Sequence, residues 1–307
     1  MLFKKNNPGS PCCNCCPCYP LDTSGANVSG TVALENKDGG PEWNSSAKKL
    51  GEGSASFKYG TGYLEAADHD CFSPYNNPDG WAMSFWIKPV TNIPVVVCST
   101  STPLWQPGVI TKGYWTHAVH SSVCTSVSAL GATTHGEWFI VAARTSENPA
   151  APVQLFVYVN CANSTGGSTW SFLVAGAKRL DTRSGIFGTD AAEWNFVYWY
   201  IRGGHSWIHI RGETESIWQQ FYRNTNTFGG IKNESVPLRV GTMIEGSNEY
   251  RLGAQNGSYL IDNILFDDNP TTYGSTSLPI PSPPSIPVEA TALYNSGSGK
   301  KCPQVGR

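Results

Sequence analysis

Between residues 54 and 266 the chain is a succession of short apolar or alternating runs, each closed by Gly, Asn, Asp or Pro. Such runs bounded by turn formers read as strands, and many in succession read as a sandwich rather than as βαβ units. The pattern predicts strands over 54–59, 62–66, 82–88, 137–144, 154–160, 168–175, 194–201, 206–211, 238–241 and 258–266. In Trp207-Ile208-His209-Ile210-Arg211 the residues alternate, which predicts a half-exposed strand. Phe196-Val197-Tyr198-Trp199-Tyr200-Ile201 is apolar at every position, which predicts an interior one. The intervening Arg202-Gly203-Gly204-His205 suits a hairpin turn, because Gly accepts the positive φ that tight turns need. Segment 213–222, ETESIWQQFY, is the best helix candidate and reads equally well as a strand. No internal repeat is visible.

Both ends differ from this body. Residues 1–25 form a Cys/Pro-rich N-terminal arm without periodicity, and 271–307 form a Pro/Ser/Gly-rich C-terminal arm that favours an extended path. Residues 26–270 are left as one domain. Composition sharpens the fold class: 32 Gly, 21 Pro, 11 Trp, 13 Tyr and 12 Phe with only 14% charged residues favour pleated surfaces over helices. The expectation is an all-β protein.

Several segments, read in order, resemble the laminin-G-like, concanavalin A-like jelly-roll family. They are Ala55-Ser56-Phe57 with Gly62-Tyr63-Leu64-Glu65, Met83-Ser84-Phe85-Trp86-Ile87-Lys88, Gly108-Val109-Ile110-Thr111-Lys112-Gly113, and Leu155-Phe156-Val157-Tyr158-Val159. Glu193-Trp194-Asn195-Phe196-Val197, Leu238-Arg239-Val240-Gly241 and Tyr259-Leu260-Ile261-Asp262-Asn263-Ile264-Leu265-Phe266 complete the set, which covers roughly 50–270. The Ser/Thr-rich stretch 95–130, with Cys98 and Cys124, departs from the family. The resemblance implies a two-sheet antiparallel sandwich whose inner faces supply Phe85, Ile87, Phe139, Val157, Phe196, Tyr198, Val240 and Ile264 to the core. It also implies that calcium could sit at the sandwich rim. The oxygen-rich loop Asp68, Asp70, Asn76, Asn77 and Asp79 is the place for it, although the same residues make an ordinary turn cluster.

Charge narrows the partners. A net charge of -2 gives no basic field for phosphate counterions, so nucleic acid is not an expected partner. No apolar run of about 18 residues could cross a bilayer, and MLFKKNNPGSPCC lacks the apolar stretch of a secretory signal, so neither membrane insertion nor a signal peptide is expected. Ten cysteines and the sequons at Asn27, Asn44, Asn163, Asn233 and Asn256 nonetheless suit an extracellular or virion surface.

Five cysteines, Cys12, Cys13, Cys15, Cys16 and Cys18, fall within seven positions, and Cys302 lies in the other arm. Thiolates at C-x-x-C spacing could hold zinc or an iron–sulfur cluster, but the second knuckle is missing, so disulfides within or between chains are preferred. Cys71, Cys98, Cys124 and Cys161 then pair among themselves or stay as buried thiols.

The catalytic signals are weak. A retaining glucanase of this architecture needs alternating carboxylates on one strand face, and the nearest approach is Glu213-Thr214-Glu215. The histidines at 69, 117, 120, 135, 205 and 209 are dispersed and match no metal or triad spacing. Sugar binding would combine a flat aromatic ring with polar neighbours, and Trp105, Tyr114, Trp115, Trp170 and Trp218 are the candidates in loop-like or marginal regions. The leading expectation is a non-enzymatic structural or adhesive protein. In that reading its Cys-bearing arms join it to copies of itself or to other proteins of a viral or extracellular assembly, with glycans as a further ligand. A monomeric lectin module and a divergent glycoside hydrolase are the alternatives.

Overall fold

The computed structural model describes residues 16–22, 32–58, 61–76, 80–91, 108–114, 135–144, 153–162, 168–175, 193–202, 205–213, 219–224, 233–245, 248–251 and 258–267. Within these residues the chain forms two antiparallel sheets and a small hairpin. Strands are numbered in chain order. Across the first sheet they run β13 (Gln219–Asn224), β12 (His205–Gly212), β11 (Asn195–Arg202), β6 (Trp81–Thr91), β17 (Ser258–Asp267), β4 (Ser54–Phe57) and β3 (Glu42–Asn44). The short β1 (Cys18–Tyr19) also pairs with β17. The second sheet runs β10 (Ser168–Ala175), β9 (Val153–Ala162), β8 (His135–Arg144), β7 (Gly108–Tyr114), β14 (Leu238–Val240), β5 (Tyr63–Ala66) and β2 (Glu35–Lys37). Strands β15 (Thr242–Glu245) and β16 (Asn248–Arg251) form the separate hairpin. Neighbours such as β6, β17 and β4 are far apart in sequence, so the chain crosses repeatedly between the two layers in the manner of a jelly roll.

Alternation along the strands divides the buried residues into two groups. Trp81, Met83, Phe85 and Ile87 of β6 belong to the cluster between the sheets, with Val197, Trp199 and Ile201 of β11 and Ile208 and Ile210 of β12. The second sheet contributes Ile110, Trp138, Ile140, Val157, Val159, Leu238 and Val240. At its centre the indoles of Trp81, Trp138 and Trp199 meet: Trp199 lies edge-on to Trp81 at 5.0 Å and to Trp138 at 5.4 Å. Edge-to-face contact sets the positive ring edge against a negative ring face and adds about 0.5–1.5 kcal/mol per pair beyond area burial.

The other face of the first sheet is also apolar. Ala82, Trp86, Phe196, Tyr198, Tyr200, Trp207 and Leu260 form a second cluster with Leu50 and Trp194. This corrects the expected core: Phe85, Ile87, Val157, Val240 and Ile264 lie between the sheets, but Phe196 and Tyr198 lie on the outer face. Phe139 is buried, yet its neighbours Trp138 and Ile140 are the residues in the central cluster. The cause is that β11 is buried along nearly its whole length, so its apolar pattern does not say which side faces inward. Strand β12 is likewise more buried than its alternation suggests, with Ile208 and Ile210 in the central cluster and Trp207 in the outer one. The expected hairpin between β11 and β12 is present, with Arg202 opposite His205.

Three further features concern ends and edges. Residues 16–22 fall in the segment expected as an N-terminal arm, yet Cys18 pairs with Leu265, Tyr19 with Ile264, and the Tyr19 ring is fully buried. Segment 213–222, which reads equally well as helix or strand, contributes to a strand, Gln219–Asn224, which β12 meets in a complete antiparallel register. Strand β17 kinks between Asp262 and Leu265, where Asn263 has φ 51° and its N–H donates to the Pro20 carbonyl. On either side of that kink β4 and β1 share one edge of β17.

The segment 45–53, between β3 and β4, lies against the outer face. Asp262 Oδ2 accepts the N–H groups of Lys49 (2.8 Å) and Leu50 (2.9 Å), and Asp22 Oδ1 accepts those of Glu52 and Gly53. Leu50 thereby joins the outer cluster, and the Lys49 ammonium sits 4.8 Å over the Trp86 ring. No helix among the described residues is long and apolar enough to cross a membrane.

Candidate functional site

The rim segment 67–76 leaves β5 and returns to β6 through two 3-10 turns, Asp70–Phe72 and Pro74–Asn76. Short 3-10 turns leave backbone groups without internal partners, and here core side chains supply them. Trp81 Nε1 donates to the Cys71 carbonyl at 2.8 Å, and Trp138 Nε1 donates to the Phe72 carbonyl at 2.9 Å. The Phe72 ring is fully buried against Phe266, with centroids 4.8 Å apart. A disulfide joins Cys71 to Cys16, tying the first turn to the N-terminal strand. His69 Nδ1 accepts the Cys71 N–H, closing the turn on itself.

Beneath the turns lies a buried ionic cluster. Lys112 Nζ donates to Asp68 Oδ1 at 2.6 Å and to Glu137 Oε1 at 2.7 Å, with the carbonyls of Glu234 at 3.2 Å and Val236 at 3.5 Å. Lys112 and Glu137 have no exposed side-chain surface, whereas Asp68 is 34% exposed. Glu137 Oε1 also accepts the Ser73 hydroxyl at 2.7 Å and the Glu234 N–H at 3.1 Å. Burial pushes the Glu137 carboxyl up, and the Lys112 ammonium, the Ser73 hydroxyl and the Glu234 N–H pull it part of the way back.

The rim segment exposes one aromatic ring and two carboxylates. Tyr75 is 59% exposed, and Asp68 and Asp70 are exposed beside it in sequence. A ring on a well-anchored turn is a ready contact for an apolar ligand face, and the carboxylates are acceptors for hydroxyl groups.

The outer face of the first sheet carries polar groups as well. Opposite pairing places Ser84, Tyr198 and His209 in one row and Trp86, Phe196 and Arg211 in the next. His209 is buried beside Tyr198, and burial pushes it down to about 4. Asp262 is pushed up to about 7 by burial, with the Asp22 charge adding to the shift and the N–H groups of Leu50, Lys49 and Asn263 opposing it. Trp86, Tyr198, Tyr200 and Trp207 are all buried, so this face offers less ring surface than the rim.

The expected cysteine grouping is only partly met. Cys16 pairs with Cys71 across the two sets that were expected to pair separately, and Cys18 is also disulfide-bonded. Neither Cys16 nor Cys18 is therefore a thiolate available to zinc or an iron–sulfur cluster. Cys12, Cys13, Cys15, Cys98, Cys124 and Cys302 lie outside the described residues, and Cys161 is placed only by its backbone in β9 opposite Thr169.

Of the expected sugar-binding aromatics, Trp105, Trp115 and Trp218 lie outside the described residues. Tyr114 and Trp170 are placed only by backbone, opposite His135 and Asn160. In the expected calcium loop, Asp68 is turned to Lys112, Asp70 is exposed, Asn76 ends the second turn, and Asn77 and Asp79 lie outside the described residues. Glu213 is paired with Lys49 at 3.1 Å, and Glu215 lies outside the described residues.

Tyr75, Lys112 and Glu137 were not singled out by the pattern. The signal that could have found two of them is an isolated charge inside an apolar strand, in Val109-Ile110-Thr111-Lys112 and in Glu137-Trp138-Phe139-Ile140, since such charges survive burial only as pairs.

No protein-family model matches the chain, and no curated protein matches it. Among solved structures, the binding domain of botulinum neurotoxin serotype D overlaps 84% of this chain and 48% of its own at 9% identity and a TM-score of 0.45. The chain thus spans about half the length of that structure. The exoplasmic/lumenal domain of VIP36 in its Ca2+/Man-bound form overlaps 84% of this chain and 90% of its own at 10% identity and a TM-score of 0.37. The alginate lyase from Klebsiella pneumoniae overlaps 70% and 80% at 7% identity and a TM-score of 0.38. The jelly-roll assignment rests on the strand pairing of this chain itself.

Proposed function

We propose that this chain is a non-enzymatic, glycan-binding β-sandwich whose ligand surface is the rim segment 67–76. Tyr75 is the stacking ring, and Asp70 and Asp68 are the hydroxyl acceptors. The observation that carries this reading is a 59% exposed tyrosine on the turn that directly follows one held by a disulfide and two indole N–H bonds, with Ser73 between them bonded to the buried ion cluster. A ring fixed before binding costs little entropy to engage, which matters for sugars because each contact is weak. The engagement of Asp68 Oδ1 and Glu137 Oε1 by Lys112 supports binding rather than turnover at this rim.

The disulfide-bonded Cys16, Cys18 and Cys71 support an oxidising location such as an extracellular or virion surface. They take support away from cross-linking between chains through Cys16 and Cys18, so assembly through the arms would need other cysteines.

The test is a glycan array probed with wild type and with Tyr75→Ala at matched thermal stability. Saturable binding by wild type that falls at least tenfold in the variant is the expected result. Absence of glycan binding by wild type, or equal binding by both proteins, would contradict it. So would turnover of a bound polysaccharide.

A further inference from the structure

Nζ of Lys112 joins the rim segment to two other parts of the chain, beside the bond from Ser73 to Glu137. Its four oxygen neighbours come from three separate stretches: Asp68 of the rim, Glu137 at the start of β8, and the carbonyls of Glu234 and Val236 ahead of β14. Two carboxylates and two main-chain carbonyls are the donors a hard divalent cation takes, since such ions bind oxygen only. Here the positive charge belongs to the chain, and at 2.6 and 2.7 Å the two carboxylate contacts are as short as charge-assisted N–H···O bonds.

The jelly-roll resemblance implies calcium at this loop; Asn77 and Asp79 lie outside the described residues, and the described Asp68 does not fit it. Asp68, the one expected ligand that reaches the buried cluster, already accepts from Lys112. Among the described residues no group of three or more His, Cys, Asp or Glu side chains is placed to hold a metal ion.

We propose that the Lys112 ammonium does for this rim what a divalent cation does for a metal-dependent one. It gathers Asp68, Glu137 and the 234–236 backbone so that the rim segment leading to Tyr75 is ordered without any metal. A charge on a side chain cannot be removed by dilution or chelation, so the order of 67–76 is permanent. The consequence for ligand capture, that it survives chelator, rests on the glycan-binding reading; the order of the rim does not.

The experiment uses the full chain with its disulfides intact. Metal content after dialysis, thermal midpoint and amide hydrogen exchange across 67–76 are measured in EDTA and in millimolar calcium chloride. Wild type is expected to carry no stoichiometric divalent metal and to give the same midpoint and the same protection in both. One bound metal per chain, or loss of protection at 67–76 in EDTA, would overturn the proposal.

Lys112→Ala is expected to lower the midpoint by several degrees and to speed exchange across 67–76, with calcium recovering part of the protection. Unchanged protection in the variant, or no recovery with calcium, would contradict the assigned role. Should Lys112→Ala fail to fold, Asp68→Asn leaves the Lys112–Glu137 pair in place. It should speed exchange at 67–70 alone and remain indifferent to EDTA; unchanged exchange there would count against the proposal. None of these readouts involves sugar, so a failed glycan array leaves them intact.

Discussion

The carbonyl oxygen of Cys71 accepts the indole N–H of Trp81 at 2.8 Å. Trp81 belongs to the indole group at the centre of the sandwich, and Cys71 is bonded to Cys16 next to β1. One residue therefore joins the core, the N-terminal strand and the rim turn that directly precedes the one presenting Tyr75.

Removing the staple should show this coupling. The Cys16–Cys71 disulfide spans 55 residues. A cross-link of that length typically stabilises by about 2–4 kcal/mol through the unfolded chain. The Cys16→Ser, Cys71→Ser double variant is expected to lose stability in that range in guanidinium unfolding, with faster amide exchange across 67–76. A loss below 1 kcal/mol with unchanged exchange would show that the indole bonds alone hold the turn.

Ion pairs in this chain differ sharply in burial. Lys112 and Glu137 have no exposed side-chain surface, whereas Lys58 and Glu42 are 47% and 58% exposed. Truncating one partner of a buried pair leaves an uncompensated charge and costs about 3–5 kcal/mol, while an exposed pair contributes about 0–1 kcal/mol. Glu137→Ala leaves Lys112 only the part-exposed Asp68 as a carboxylate partner and takes the acceptor from Ser73 and the Glu234 N–H, so it should destabilise by more than about 1 kcal/mol though less than a full unpairing, and Lys58→Ala scarcely at all, as read from denaturant midpoints at constant slope.

Two buried groups pull the pH dependence in opposite senses. Asp262 has its folded pKa raised to about 7, so its contribution is fully present below pH 3.8 and is lost as pH rises toward 7. His209 has its folded pKa lowered to about 4, so its contribution is fully present above pH 6.5 and is lost as pH falls toward 4. Between about pH 4 and 6.5 each amounts to up to about 1.4 kcal/mol per pH unit, with opposite sign. Asp262→Asn should therefore make stability rise more steeply with pH than in wild type, and His209→Phe should make it fall. Glu137, also raised, acts in the same sense as Asp262. Parallel profiles for wild type and both variants would refute the burial of these groups.

Gly241, between β14 and β15, has φ 87°, and a Cβ there would run into the Phe57 ring of the facing sheet. Gly241→Ala combines left-handed strain with overpacking, which together cost about 2 kcal/mol or more. Phe57→Leu in the same background should recover part of that loss, and chemical denaturation measures both.

The sandwich was legible because its long strands announce themselves. Strand β10 begins and ends where the pattern of 168–175 puts it, and β6, β8, β9 and β17 differ from expectation by a few residues at their ends. Strands β2 and β3 were invisible because Glu35–Lys37 and Glu42–Asn44 are exposed or half-buried edges with no apolar face to read. Cys18–Tyr19 was hidden inside a Cys/Pro-rich segment, where only the partner strand β17 reveals pairing. The inward face of β11 was not legible because both faces are buried. For the site, Asp68 and Asp70 were found as oxygen donors, but that Asp68 is satisfied by Lys112 depends on a contact 44 positions away in sequence.

The most direct test of the whole account is a tyrosine-selective NMR titration of the native chain with the neutral oligosaccharide that leads the glycan array. The exposed Tyr75 ring should shift saturably while the buried rings of Tyr19 and Tyr259 stay fixed. Sugar binding that leaves the Tyr75 resonance unmoved would contradict the account.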